Sequence, residues 1–155
     1  MPCANRHIPT PHPERVRDVR EENVILSLIK AYGHLQTVHH AVFREHGITA
    51  QQYNVLRILY VRGEQGLCSA EIAPLMTTRV PDMTRLLDRM ARDGLLERVR
   101  SEDDRRMVKV FLCDKGRQIC MQVDQPLVDS SREALKKLAP AEQNALKALL
   151  DKIYS

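Results

Sequence analysis

The chain has 155 residues, 43% of them apolar, with a formal net charge of +4 and a pI of about 9.0. That length supports one domain with a core of its own, and no run of about 20 apolar residues is present to span a membrane. The mild basicity is compatible with a nucleic-acid partner but too small to argue for one by itself.

Residues 1–14 hold Pro2, Pro9, Pro11 and Pro13 and little that is apolar, which predicts a flexible arm. They lack the apolar core of about 7–15 residues that a secretory signal carries, so a cytoplasmic location is expected. From 15 to 46, Ile25, Leu28, Ile29, Tyr32, Leu35, Val38, His39, Val42 and Phe43 recur at helical spacing, and Gly47 ends the run. A helix this long and this early in a small domain needs a partner surface, and a second subunit supplies one. His34, His39, His40 and His46 invite a metal reading. No H-E-x-x-H and no Cys/His cluster stands at ligand spacing, so packed or surface histidines account for them, and neither metal nor cofactor is expected.

Between 49 and 66, Thr49 is a helix cap, and Tyr53, Val55, Leu56, Ile58, Leu59 and Tyr60 predict a mostly buried helix before the Gly63–Gly66 loop. Ser69 is placed as the N-cap of a short helix ending near Met76, with Leu67 stapled against it and Pro74 tolerated close to its start. Thr77, Thr78 and Arg79 form the turn. A second helix over 80–93 follows, with Pro81 at its first position and Gly94 just past its end. Val80, Met83, Leu86, Leu87, Met90 and Ala91 make its apolar stripe; Asp82, Thr84, Arg85, Asp88, Arg89 and Arg92 lie opposite. A DNA recognition helix needs this division, with Arg85 placed to fork onto guanine O6 and N7, and Arg89 and Arg92 on phosphate. An amphipathic surface helix with ion pairs among its own charges satisfies the same pattern.

Over 95–113, Val99, Val108, Val110 and Leu112 alternate with Arg98, Arg100 and Lys109, which predicts two half-buried strands in a hairpin. Its tip, 101–106, is six polar residues. A hairpin directly after an amphipathic helix sets its tip beside that helix, where Arg105 or Arg106 can enter a minor groove. From 114 to the end, Ile119, Val123, Leu127 and Val128 begin a long helix interrupted or bent at Pro126 and continued by Leu135 and Leu138. Pro140 and Glu142 open a last helix carrying Leu146, Leu149, Leu150 and Ile153, a pattern that fits an interface with a second subunit. Cys3, Cys68, Cys113 and Cys120 show neither C-x-x-C nor zinc spacing and are expected to be reduced.

Four ordered runs carry a resemblance: Thr84-Arg85-Leu86-Leu87-Asp88-Arg89-Met90, Gly94-Leu95-Leu96-Glu97-Arg98, Asp104-Arg105-Arg106, and Leu112-Cys113-Asp114-Lys115-Gly116. In this order and spacing they resemble the T-R-L-x-D-R-L, G-L-V-x-R, D-x-R and L-T-x-x-G pattern of the MarR family of bacterial transcriptional regulators, over residues 24–154. The resemblance implies a mainly α fold with a small β-hairpin wing, a winged helix-turn-helix (49–113) carried on N- and C-terminal dimerisation helices (15–46 and 117–155). It implies a homodimer that binds a palindromic operator in double-stranded DNA, mostly as a repressor, and lets go on binding a small molecule or on oxidation. Arg85 matches the recognition-helix arginine; Asp104 and Arg106 match the pair that orders the wing and brings an arginine to the minor groove. Arg79, Pro81, Asp82, Thr84, Arg85, Arg89, Arg105 and Arg106 are the expected DNA contacts. Tyr32, His39, Tyr53 and Arg57 are the expected lining of an effector pocket, although the tyrosines have an equally good reading as packing residues. Three positions depart from the pattern: Arg79 where an acidic or small polar residue is usual, Pro81 for Ser, and Cys113 for Thr, with Asp114 left as the next helix cap. The first-helix cysteine by which some relatives sense peroxide has no counterpart here.

The leading expectation is therefore a ligand-responsive DNA-binding regulator, without catalytic activity. Its rivals are a winged-helix module for protein partners and a cysteine-based redox regulator. Between Ser69 and Cys113 nine Lys/Arg stand against eight Asp/Glu, a net +1, so DNA affinity has to come from the placement of basic groups. No nucleophile–base pair or phosphate loop argues for an enzyme.

Overall fold

A computed structural model of the chain describes residues 20–100 and 107–154. The expected arm at 1–14, and the wing-tip residues Asp104, Arg105 and Arg106, lie outside the described residues. The chain falls into two compact units, one up to Gly33 and one from His34 onward.

Helix α1 runs Arg20–Glu45, and Gly47, at φ +66°, turns the chain out of it. In the first unit this helix exposes Ile25, Ile29 and Tyr32. In the second unit Phe43 is its buried residue.

Helix α2, Ala50–Arg62, opens on a complete capping box: the Gln52 amide donates to Thr49 Oγ1 (3.2 Å), and the Thr49 amide donates to Gln52 Oε1 (2.8 Å). It buries Tyr53, Val55, Leu56, Ile58 and Leu59, as the periodicity predicts, while Tyr60 is exposed. Strand β1, Leu67–Cys68, was not expected. Leu67 pairs across the sheet with Val110 and packs against the core that holds Ile72 of the next helix.

Helix α3 is only Ser69–Ile72, and a 3₁₀ turn, Ala73–Leu75, completes it around Pro74. Its cap sits one residue before the predicted Ser69: the Cys68 amide donates to Glu71 Oε2 at 2.7 Å. That bond is the main reason the Glu71 carboxyl lies below its ordinary range. Helix α4 is Met83–Arg92, not 80–93. Pro81 precedes it, because the Asp82 carboxylate accepts from the Arg85 amide (2.9 Å) and caps the helix there. At the other end Gly94, at φ +71°, behaves as predicted. Leu95 N–H reaches Met90 O (2.9 Å) and Gly94 N–H reaches Ala91 O (3.0 Å), the double bond of a Schellman ending.

Strands β2, Leu96–Arg100, and β3, Val108–Leu112, form the hairpin, and β1 joins to give an antiparallel sheet in the order β1-β3-β2. One expectation inverts here. Leu96 is buried and Val99 is 45% exposed, so Leu96 is the β2 residue that faces the core, and Arg98, on the same side of the strand and opposite buried Val110, is itself exposed. Helix α5, Asp114–Leu135, runs continuously through Pro126 and stops at Leu135, so Leu138 falls in the following turn. Its cap position is Cys113 and not Asp114, which is the first helical residue. Helix α6, Pro140–Tyr154, begins with the Ala139 amide donating to Glu142 Oε2 (2.7 Å).

The core of the second unit sits where α2, α3, α4, the sheet and the first half of α5 meet. Its fully buried side chains are Val55, Leu56, Ile72, Leu87, Met90, Leu96, Val110 and Val123. No described helix is long and apolar enough to cross a membrane.

Candidate nucleic-acid interface

Two helices joined by a turn, with a hairpin behind them, place α4 at the surface of the second unit. Leu86, Leu87 and Met90 anchor one side of α4 in the core. Its other side leaves Thr84, Arg85, Asp88, Arg89 and Arg92 exposed. The turn before it is held from α2: the Thr77 amide donates to Asn54 Oδ1 at 2.9 Å. Asn54 is a positioning residue that sequence reasoning missed, since a polar residue beside a buried run carries no sign of its partner 23 positions away.

Arg79 and Pro81 are exposed in the segment leading into α4. Arg85 pairs with Asp82 (3.4 Å), but its side chain remains 85% exposed, so the pair leaves the guanidinium available to an incoming base edge. Thr84, Arg85 and Arg89 share the exposed side of one helix. Asp82 is held to capping it. The C-terminal end of α4 is closed by Lys115 of α5, whose ammonium donates to Asp93 O at 2.8 Å and complements the helix dipole. Arg98 of β2 forms an ion pair with Asp88 of α4, a contact absent from the predicted set because the predicted register faced Arg98 outward.

A MarR family model matches residues 48–108. The multiple antibiotic resistance protein MarR of Salmonella typhimurium is 35% identical over 107 residues, covering 68% of this chain and 73% of that one. The chain belongs to the MarR family. Within it, a crystal structure of a mutant MarR from Escherichia coli complexed with operator DNA superposes with a TM-score of 0.76 at 27% identity, covering 89% of this chain and 99% of that one. The MarR-family regulator Sco3205 of Streptomyces coelicolor, solved in complex with DNA, shares the fold with a TM-score of 0.78 at 22% identity, covering 87% and 89%. By family, then, this chain is a winged-helix transcriptional regulator and not an enzyme.

Of the four expected effector residues, Tyr53 and Arg57 line one cavity of about 460 Å3 between α2 and α5, with Asp124, Leu127, Ser131 and Arg132. His39 adjoins it through Ser131. The Ser131 hydroxyl donates its one proton to Leu127 O (2.7 Å), so at 3.1 Å His39 Nε2 must be the donor to Ser131 Oγ. Burial lowers the His39 pKa, in keeping with a neutral ring. Phe43 links His39 to Tyr53, with ring centroids 6.5 Å and 5.2 Å away. Burial also raises the Tyr53 phenol. Tyr32 is exposed in the first unit and is not among the lining residues.

The thiols at Cys113 and Cys120 are pushed up, in both cases chiefly by burial, with Glu97 and Asp114 adding at Cys113 and Asp124 at Cys120. Both environments disfavour the thiolate that redox sensing requires.

Proposed function

We propose that this MarR-family chain is a homodimeric repressor that binds a palindromic operator and releases it when a small molecule occupies the α2–α5 cavity. The observation that carries the reading is the two-sided α4: three core anchors on one side, and Thr84, Arg85 and Arg89 exposed on the other. Arg85 and Thr84 address bases in the major groove, with Arg79 beside them; Arg89 holds phosphate; Arg105 and Arg106, with Asp104 ordering the wing, serve the minor groove. The E. coli MarR–operator complex supports the DNA partner. Residues 15–46 and 117–155 are assigned to dimerisation, supported by the exposed Ile25 and Ile29 in the first unit and Leu149 and Ile153 in α6. Two half-sites one helical turn apart require a fixed separation of recognition helices, so a ligand that favours another separation ends binding.

The test is a fluorescence-anisotropy titration of the full chain with the duplex upstream of its own gene at two salt concentrations. Affinity should fall steeply with salt, and Arg85→Ala should cost about 1–3 kcal/mol with relaxed selectivity. Binding that is weak, equal for any duplex and indifferent to the substitution would instead support a protein-interaction module. The near-balance of charge between Ser69 and Cys113, nine basic residues against eight acidic, keeps that second reading in view.

A further inference from the structure

Strand β2 retraces helix α4. The chain leaves α4 at Gly94, and Leu95 N–H still bonds Met90 O (2.9 Å) in the last turns of that helix. Further along the strand, Arg98 meets Asp88, further back along α4. The register of Leu96 to Arg100 against Leu112 to Val108 is unbroken, so Leu96, Arg98 and Arg100 lie on one side of the strand. That side faces the helix: Leu96 shares the core with Met90, and Arg98 reaches Asp88. Arg100 is next in the row, about 7 Å beyond Arg98. One turn back along α4 from Asp88 stands Arg85, about 5 Å away along the axis. Arg100 thus comes level with the turn of α4 that carries Thr84 and Arg85.

Arg100 is exposed. Its side chain makes no hydrogen bond or ion pair with another described residue, whereas Arg98 is paired with Asp88 and Arg85 with Asp82. The other cation of the sheet is differently placed. Lys109 lies opposite Val99, on the far side of the sheet, and its ammonium donates to Gln65 O at 3.2 Å. With α4 in a major groove and the hairpin tip at the adjacent minor groove, one sugar–phosphate strand separates the two. That strand has to cross the protein between α4 and residues 101–106. Arg100 stands at this crossing, and its guanidinium can take up phosphate without giving up an internal partner.

We propose, on the DNA-binding reading, that Arg100 clamps the phosphate strand between the two grooves, a contact additional to those of α4 and the wing tip. The clamp fixes the position of the protein on the duplex and carries no sequence information of its own. In the alternating pattern of the hairpin Arg100 looks like Lys109; only the strand register separates the cation beside α4 from the one on the far side.

The test is the anisotropy titration of the full chain over a series of salt concentrations, with the duplex upstream of its own gene and an unrelated duplex. Arg100→Ala should weaken both to the same degree, about tenfold near physiological salt, and flatten the log–log salt slope by about 1 for each half-site. Arg100→Lys, which keeps a point charge, should restore the slope. Arg62→Ala removes the same charge from the C-terminal end of α2 and should leave the slope unchanged. A duplex neutralised by methylphosphonate in the strand between the grooves should bind wild type more weakly, and Arg100→Ala no differently from unmodified DNA. The melting temperature of Arg100→Ala should equal that of wild type. A wild-type slope in Arg100→Ala, a loss confined to one duplex, or equal flattening in Arg62→Ala overturns the clamp and leaves DNA binding standing. A lowered melting temperature with an unchanged slope makes Arg100 a structural residue and overturns the contact. A wild-type protein that binds no duplex in a salt-dependent way overturns the DNA-binding reading, and the clamp with it.

Discussion

His39 is held by a bond whose direction can be worked out from one proton. Ser131 spends its hydroxyl hydrogen on Leu127 O, so the imidazole must donate from Nε2. Burial depresses its folded pKa below the ordinary value near 6.5. The unfolded chain therefore binds more protons just below that value, and stability rises with pH through the window between the lowered folded pKa and about 6.5. Thermal melts from pH 5 to 7 should show wild type losing stability on acidification, with a shallower loss in His39→Gln; parallel curves would mean His39 does not titrate on folding. Cysteine chemistry belongs to the same scale. Cys113 occupies a helix cap, a setting that commonly lowers a thiol pKa. Burial and the two carboxylates Glu97 and Asp114 work the other way here. Peptide mapping after brief alkylation at pH 7 should find Cys113 and Cys120 labelled far more slowly in the folded protein than in urea.

At the scale of the element, the termini of α4 carry the organisation of the site. Two glycines near its C-terminal end matter for different reasons. Gly94 has open space around an added methyl but sits at φ +71°, so Gly94→Ala should cost about 1–2 kcal/mol of backbone strain. Gly116, in the first turn of α5, would put a Cβ 2.1 Å from Leu95 O and 2.9 Å from Leu112 Cδ1. Backbone must move there, and the moving parts are the end of α4 and the start of α5. Gly116→Ala should therefore lower the urea midpoint more than Gly94→Ala; the reverse order would show that the junction is soft. Element boundaries were partly legible. Gly47, Thr49, Gly94 and the Pro140–Glu142 start stand where turn and cap chemistry put them. The start of α4 is ambiguous locally, because Pro81 and Asp82 are both good openers in sequence. Only the Asp82–Arg85 hydrogen bond decides between them.

At the scale of the whole molecule, apolar side chains exposed in α6 are the feature that a lone chain leaves unexplained. Leu149 is 61% and Ile153 62% exposed, and Ile25 and Ile29 show similar exposure in the first unit. If these faces meet a second copy, Leu149→Glu with Ile153→Glu should convert a dimer to a monomer in sedimentation velocity and abolish operator binding while the winged helix keeps its fold. A wild-type monomer at micromolar concentration would remove the proposed assembly.

The sequence alone was enough for the family, the helix-turn-helix plan and the amphipathic division of α4, because those depend on periodicity, caps and short motifs that neighbouring residues impose on one another. Three features waited on tertiary structure: the third strand, the pairing of Arg98 with Asp88 and the anchoring of the Thr77 turn by Asn54. Each depends on a partner far along the chain. A two-residue strand has no period of its own to read. Arg98 lies on the Leu96 side of β2, opposite Val110, where its guanidinium meets Asp88. Local pattern favours Val99 for the core. Long-range pairing overrides it, because a one-residue change of face would expose Leu96 and leave Asp88 without the cation that β2 brings to it.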